Sequence, residues 1–149
     1  MKSELKRLLE EAETFHSHLG PFLVLGLKAG LLALHELGSK RGDSKLNAQV
    51  ELPYRVPISC LLDGVQFSTG CTIGNKRLSF KDSTDLTLTF VKSGDAAELA
   101  LKEATFKLLR PLFHGEDLNQ KKLSDLAHDV ATMSEKELFH VKERATASV

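Results

Sequence analysis

A chain of 149 residues with 42% hydrophobic content is long enough for one domain with a real core. Its 20 Lys and Arg balance 20 Asp and Glu to a net charge of zero, so nothing recommends a phosphate backbone or an anionic membrane surface, and nucleic acid is set aside as a ligand. The longest apolar stretch, residues 21–37, is broken by Lys28, His35 and Glu36 and falls short of the roughly 20 apolar residues that span a bilayer, so it reads as a buried helix.

Met1-Lys2-Ser3-Glu4 leads directly into a charged amphipathic segment, with neither an apolar h-region nor a small-residue cleavage site, and the expected location is the cytoplasm. In that reducing compartment two thiols are metal ligands, reactive groups or buried apolar residues more often than a disulfide. Leu5, Leu8, Ala12 and Phe15 recur at spacings of three and four, which predicts a helix over residues 3–15 with Ser3 as its N-cap. Gly20-Pro21 punctuates the chain, and a second helix runs from Phe22 to a stop at Leu37-Gly38. Residues 39–45 form a loop, and the alternation in Leu46-Asn-Ala-Gln-Val-Glu-Leu predicts a half-buried strand that ends near Pro53.

Pro57 opens the next element, a helix to about Thr69 despite Gly64, with Gly70 and Gly74 marking a tight turn after it. Residues 77–81 and 85–92 both alternate around Asp82-Ser-Thr and are expected to pair as a hairpin. A helix is expected over residues 96–110 until Pro111 ends it, then a polar loop, a short helix over residues 124–133, a turn capped by Ser134, and a tail that extends as a strand. No repeat or low-complexity linker divides the chain. The expected class is a single α+β domain, residues 1–149, with a small antiparallel or mixed sheet packed against several helices.

Both cysteines bracket one segment, Cys60-Leu-Leu-Asp63-Gly64-Val-Gln66-Phe-Ser-Thr69-Gly70-Cys71, and His16-Ser-His18 lies upstream. Thiolates and imidazoles are the donors that hold zinc, nickel or a related divalent ion. If the His-x-His stretch is extended, both imidazoles point the same way and can reach one ion. The other reading has His16 capping the first helix and His18 on the surface. Eleven positions of continuous helix at about 1.5 Å each put the two cysteines roughly 16 Å apart, too far to share an ion, so one joins the histidines and the other does something else. Cys60 lies among Ile58, Leu61 and Leu62, where core packing competes with ligation. Asp63 follows it by one helical turn and either faces the same pocket or is solvated. Cys71 sits in the glycine turn, whose amides are expected to lower a thiol pKa or hold an anion.

Taken together, His16-Ser-His18-Leu-Gly20-Pro21, the long apolar helix with Gly26 and Gly30, and Cys60-x-x-Asp63-Gly64-x-Gln66-x-x-Thr69-Gly70-Cys71-Thr72-x-Gly74-Asn75-Lys76 resemble the core domain of the formylmethanofuran dehydrogenase E-subunit family. The resemblance covers roughly the first eighty residues. It implies an α+β core that dimerises, binds a metal through histidine and cysteine, and is associated with one-carbon metabolism of methanogens and related anaerobes. Two departures accompany it. Gly20 stands where the family pattern has a cysteine, and no cysteine follows Cys71, so the C-terminal zinc finger of larger members is expected to be missing.

From these residues the expected site has His16, His18 and Cys60 holding a divalent transition metal, zinc first with nickel and iron as alternatives, and an open position for a small-molecule ligand. Asp63 serves as orienting partner or general base, while the turn of Gly70, Thr72 and Gly74 with Lys76 receives an anionic group of the ligand or cofactor. Cys71 is a nucleophile, a redox thiol or a further ligand. The competing class is a non-enzymatic accessory or ligand-binding module that docks on oxidoreductase subunits. A redox pair of the two cysteines ranks last, because bridged cysteines need Cα atoms within ~7 Å.

Overall fold

In the computed structural model, which describes residues 2–145, the chain starts with α1 (Lys2–His16) and then buries α2 (Pro21–Glu36) at its centre. A helix that is apolar all round has to be covered all round. The fold does this in layers: Phe22, Leu25, Ala29 and Leu32 of α2 meet the sheet-side core, while Leu23 and Leu27 meet Leu8 and Ala12 of α1 on the other side. The sheet residues of that core come from β1 (Leu46–Leu52), β2 (Leu78–Asp82), β3 (Thr87–Lys92), β4 (Asp95–Leu101) and β5 (Phe139–Ala145). β1 alternates strictly, with Leu46, Ala48, Val50 and Leu52 buried and Asn47, Gln49 and Glu51 exposed on the open face.

Between β1 and β2 the chain makes one 3-10 turn (Ile58–Cys60) that runs straight into α3 (Leu61–Thr69), in line with the Pro57 signal. Glycine is a poor helix residue, costing about 1 kcal/mol against alanine, and the packing explains why α3 contains one. A Cβ on Gly64 would stand 2.2 Å from the Leu23 carbonyl oxygen, and one on Gly26 would stand 2.0 Å from the Leu61 carbonyl oxygen. The two helices therefore cross with backbone against backbone. After β4 come α4 (Glu103–Phe113), α5 (Gln120–Thr132) and the short α6 (Glu135–Leu138). Ser134 and Glu137 form a capping box at α6, which agrees with the expected cap. The one charged residue buried on α2, Lys28, sends its Nζ to the carbonyls of Val130, Ala131 and Met133, so it closes the C-terminal end of α5.

The α+β class and the mixed sheet stand, but three sequence expectations are corrected. Residues 77–81 and 85–92 do not form a hairpin, because β1 lies between them: the strand order is β2-β1-β3-β4-β5, with β2 parallel and β3 antiparallel to β1. The Asp82-Ser83 step crosses the end of β1 instead of turning, held by Tyr54 N–H donating to Asp82 Oδ1 and Ser83 N–H donating to the Leu52 carbonyl. Residues 96–101 are strand, not helix. Ser93 and Gly94 both take positive φ, 49° and 94°, the geometry of a two-residue hairpin turn that pins β4 onto β3. α4 also runs past Pro111 by one half-turn to Phe113. Among the described residues no helix is long and apolar enough to cross a membrane.

Candidate functional site

α1 ends on His16, and Ser17 follows in the left-handed region with φ 85°. The chain therefore turns sharply between the two histidines instead of extending through them. His16 keeps the direction of the helix and meets α3, whereas His18 is exposed beside it, with ring centroids 5.0 Å apart and an interplanar angle of 52°. The extended His-x-His expectation is corrected on this point; of the other reading, His18 does lie exposed, whereas His16 does not cap α1, since its nitrogens are engaged elsewhere.

Both of them face α3. Nδ1 of His16 lies 2.6 Å from Asp63 Oδ2, and Nε2 lies 3.1 Å from Cys60 Sγ. Cys60 and Asp63 are three residues apart at the start of a helix, which puts them on one face. One imidazole thus spans the pair. The Asp63 carboxylate accepts, so the proton sits on Nδ1 and the Nε2 lone pair faces the thiol. Burial, with the negative charge of Asp63 adding to it, pushes the Cys60 thiol from an ordinary 9.0 up to about 11. In the metal-free protein at neutral pH the sulfur carries its proton and donates to His16.

Gln66, one more turn along α3, donates through Nε2 to Asp63 Oδ1 at 3.3 Å and accepts through Oε1 from the Ile73 amide at 3.1 Å. It belongs to the sequence motif without a role evident there; the signal that could have found it is its three-residue spacing from Asp63.

Cys71 lies beyond the opposite end of α3, fully buried, with its thiol donating to the Leu46 carbonyl at 3.3 Å. The expectation that the turn lowers this thiol's pKa is corrected: burial raises it. The turn amides other than that of Gly74 are also committed. Thr72 and Arg77 N–H donate to Asn75 Oδ1, Asn75 N–H to Thr72 Oγ1, Lys76 N–H to the Ile73 carbonyl, and Gly70 N–H to the Gln66 carbonyl. Asn75 Nδ2 closes the loop onto the Gly70 carbonyl at 2.8 Å. An anion at Gly70 and Thr72 would have to compete with these bonds, and Lys76 takes a left-handed φ of 62° to complete the turn.

The donor chemistry of the His16 cluster suits a soft divalent ion, with an imidazole oriented by a carboxylate and a thiol facing its free nitrogen. Among the described residues, however, no three His, Cys, Asp or Glu side chains already converge on a metal position. His16 and Cys60 are brought together, Asp63 is spent on Nδ1, and His18 stands alongside.

Comparison with known proteins places the fold and the lineage. A protein of Archaeoglobus fulgidus named a probable S-adenosyl-L-methionine-binding protein is 37% identical over 94 residues, which cover 63% of this chain and 26% of that protein. The matched region thus spans about a quarter of that relative's length. The crystal structure of a tungsten formylmethanofuran dehydrogenase FmdE-like protein from Syntrophus aciditrophicus superposes with a TM-score of 0.66 at 18% identity, covering 96% of this chain and 73% of that one. A family model described as FmdE, molybdenum formylmethanofuran dehydrogenase operon, matches residues 15–140, from the residue before His16 through the first two residues of β5. The chain belongs to the FmdE family.

Proposed function

We propose that the protein binds a divalent transition metal, zinc first, through His16 Nε2 and Cys60 Sγ, with His18 as third ligand. The observation that carries this reading is the Asp63–His16–Cys60 line. A ligating histidine nearly always donates its other N–H to a carboxylate or carbonyl, and His16 does so at 2.6 Å. Two tetrahedral ligands of zinc, one sulfur and one nitrogen, stand about 3.5 Å apart, and His16 Nε2 and Cys60 Sγ are already 3.1 Å apart. The bound ion would supply Lewis-acid chemistry to a small molecule, and Asp63 would hold the proton on Nδ1 throughout. In this reading the protein works in the cytoplasm as a homodimer, in one-carbon metabolism.

The test is metal analysis of protein purified without chelator or affinity tag, alongside His16→Ala and Cys60→Ser. About one ion per chain in the parent and a loss in both variants is the expected result. Undiminished stoichiometric metal in both variants overturns the assignment. A second reading is a non-enzymatic ligand-binding module, or an accessory module that docks on oxidoreductase subunits; its ligand-binding form draws on the name of the Archaeoglobus fulgidus relative. Titration calorimetry with S-adenosyl-L-methionine on metal-free protein addresses it directly: binding that survives Cys60→Ser supports this second reading over the first.

A further inference from the structure

The carboxylate that orients His16 has two oxygens, and only one of them faces the imidazole. Oδ2 accepts from Nδ1–H at 2.6 Å, while Oδ1 accepts from Gln66 Nε2–H at 3.3 Å. Gln66 is in turn fixed from outside the cluster, because the Ile73 amide can only donate and so selects the carbonyl oxygen of the Gln66 side chain. With Oε1 facing Ile73, the amide nitrogen necessarily faces Asp63. A flipped side chain would set donor against donor at one end and acceptor against acceptor at the other. The backbone of the 70–76 turn therefore sets the direction of the two Gln66 bonds, and the acceptor-only carboxylate of Asp63 sets that of the bond from His16 Nδ1.

We infer that Gln66 is a positioning residue: its carboxamide holds the Asp63 carboxylate so that Oδ2 meets His16 Nδ1, which fixes one imidazole tautomer and leaves Nε2 free to face Cys60. The metal consequence rests on the reading of His16 and Cys60 as ligands, whereas the tautomer consequence does not. Asp63 and Gln66 lie one helical turn apart on α3 and are joined by this bond, so the carboxylate is restrained by a group on its own rigid element. Without it, Asp63 is a partly exposed side chain with 31% of its surface open to water, and water can take its place on Nδ1.

The two bonds of Gln66 can be separated by substitution. Gln66→Glu retains an acceptor for the Ile73 amide, removes the donor to Asp63 and puts a second carboxylate beside it; Gln66→Ala removes both bonds. Long-range proton–nitrogen correlation of the His16 ring in metal-free protein reads the tautomer. The parent is expected to show one protonated nitrogen, Nδ1, and one bare nitrogen, Nε2. Gln66→Glu and Gln66→Ala are both expected to give averaged ring nitrogens, whereas Asp63→Asn, whose Oδ1 accepts from Gln66 so that its amide faces Nδ1, is expected to move the proton to Nε2. Zinc affinity is expected to fall about tenfold in Gln66→Glu, the low end for loss of an outer partner of a ligating histidine.

A Gln66→Glu protein whose ring nitrogens match the parent overturns the inference and reduces Gln66 to an anchor of the turn. If the parent takes up no zinc while the ring signature still changes in Gln66→Glu, the metal reading fails and the positioning role stands. If the parent binds zinc and Gln66→Glu matches it in both measurements, the positioning role fails and the metal reading stands.

Discussion

The crossing of α2 and α3 offers the sharpest quantitative test of how this chain folds. Substituting Gly64 by alanine places a Cβ 2.2 Å from the Leu23 carbonyl oxygen, 2.5 Å from the Leu27 nitrogen and 2.9 Å from the Gly26 carbonyl carbon. All three are backbone atoms of a buried helix, so no side chain can swing aside. Ordinary contact begins near 3.4 Å, so the helices must separate by about 3.4 − 2.2 = 1.2 Å along the closest direction. A gap of that size forfeits up to half the dispersion energy of the side chains that meet across it. Overpacking of this kind costs about 1–3 kcal/mol, and backbone contact on every side puts it at the upper end. Alanine returns about 1 kcal/mol of helix propensity. The net expectation is a loss of about 2 kcal/mol, or roughly 7 °C in Tm for a chain of this size. Urea unfolding followed by circular dichroism measures it as a lower midpoint at unchanged slope. Gly20→Ala is the control, since Gly20 is extended at φ −124° and a Cβ there meets nothing within 4 Å, so it should stay within about 0.5 kcal/mol of the parent. A Gly64→Ala protein of parental stability would refute the claim that the glycine is there for close approach.

Four further outcomes are expected. Because burial holds the Cys60 thiol protonated up to about pH 11, binding an ion to its sulfur releases a proton, and apparent zinc affinity should rise about tenfold per pH unit through the neutral range, a dependence that Cys60→Ser lacks. The same shift makes the metal-free fold lose stability as pH climbs above 9, where the unfolded thiol ionises first and the folded one does not, so urea midpoints should decline from pH 9 to 11 in the parent and less steeply in Cys60→Ser, where buried Cys71 alone still contributes. Leu8→Ala, at 1% exposure in the α1–α2 contact, should cost about 2–5 kcal/mol and weaken zinc binding without touching a ligand, as read by denaturation and competition titration. Thiol alkylation under native conditions should leave Cys71 unmodified while Cys60 reacts slowly, and both should react at once in denaturant; rapid native labelling of Cys71 would contradict its place in the core.

Elements whose signal is local were legible in the sequence. α2 announced itself by a long apolar run between Gly20-Pro21 and Gly38, and β1 by strict alternation. β4 was not legible because Ala96-Ala97-Glu98-Leu99-Ala100 is composed of good helix formers, and only its pairing with β3 across Ser93-Gly94 makes it a strand. The β2–β3 misreading has the same origin. Turn residues at 82–84 reveal that the chain changes direction but not that a third strand already occupies the slot. In the site, Cys60 and Asp63 could be paired from their spacing, since a helix puts residues three apart on one face. That His16 would bridge them was beyond reach, because the contact spans more than forty positions and depends on how α1 docks. Ser17 in the left-handed region then separated the two histidines that the motif had placed together.

The arrangement divides labour around α3. Cys60, Asp63 and Gln66 line the face that meets His16 and the 70–76 turn, while Leu61, Gly64, Val65 and Ser68 are buried, with Leu61, Gly64 and Ser68 against the α2 glycine positions. The second face fixes the first: a helix seated with its backbone against another backbone cannot shift without opening the core. Asp63 and Gln66 are thus carried on this constrained helix and Cys60 on the 3-10 turn that runs into it, while His16 arrives on α1. That helix is held by Leu8 and Ala12 against Leu23 and Leu27, a cluster separate from the main core. Completeness of the site accordingly follows the docking of α1, and a ligand that draws His16 and Cys60 together would stabilise that docking by mass action.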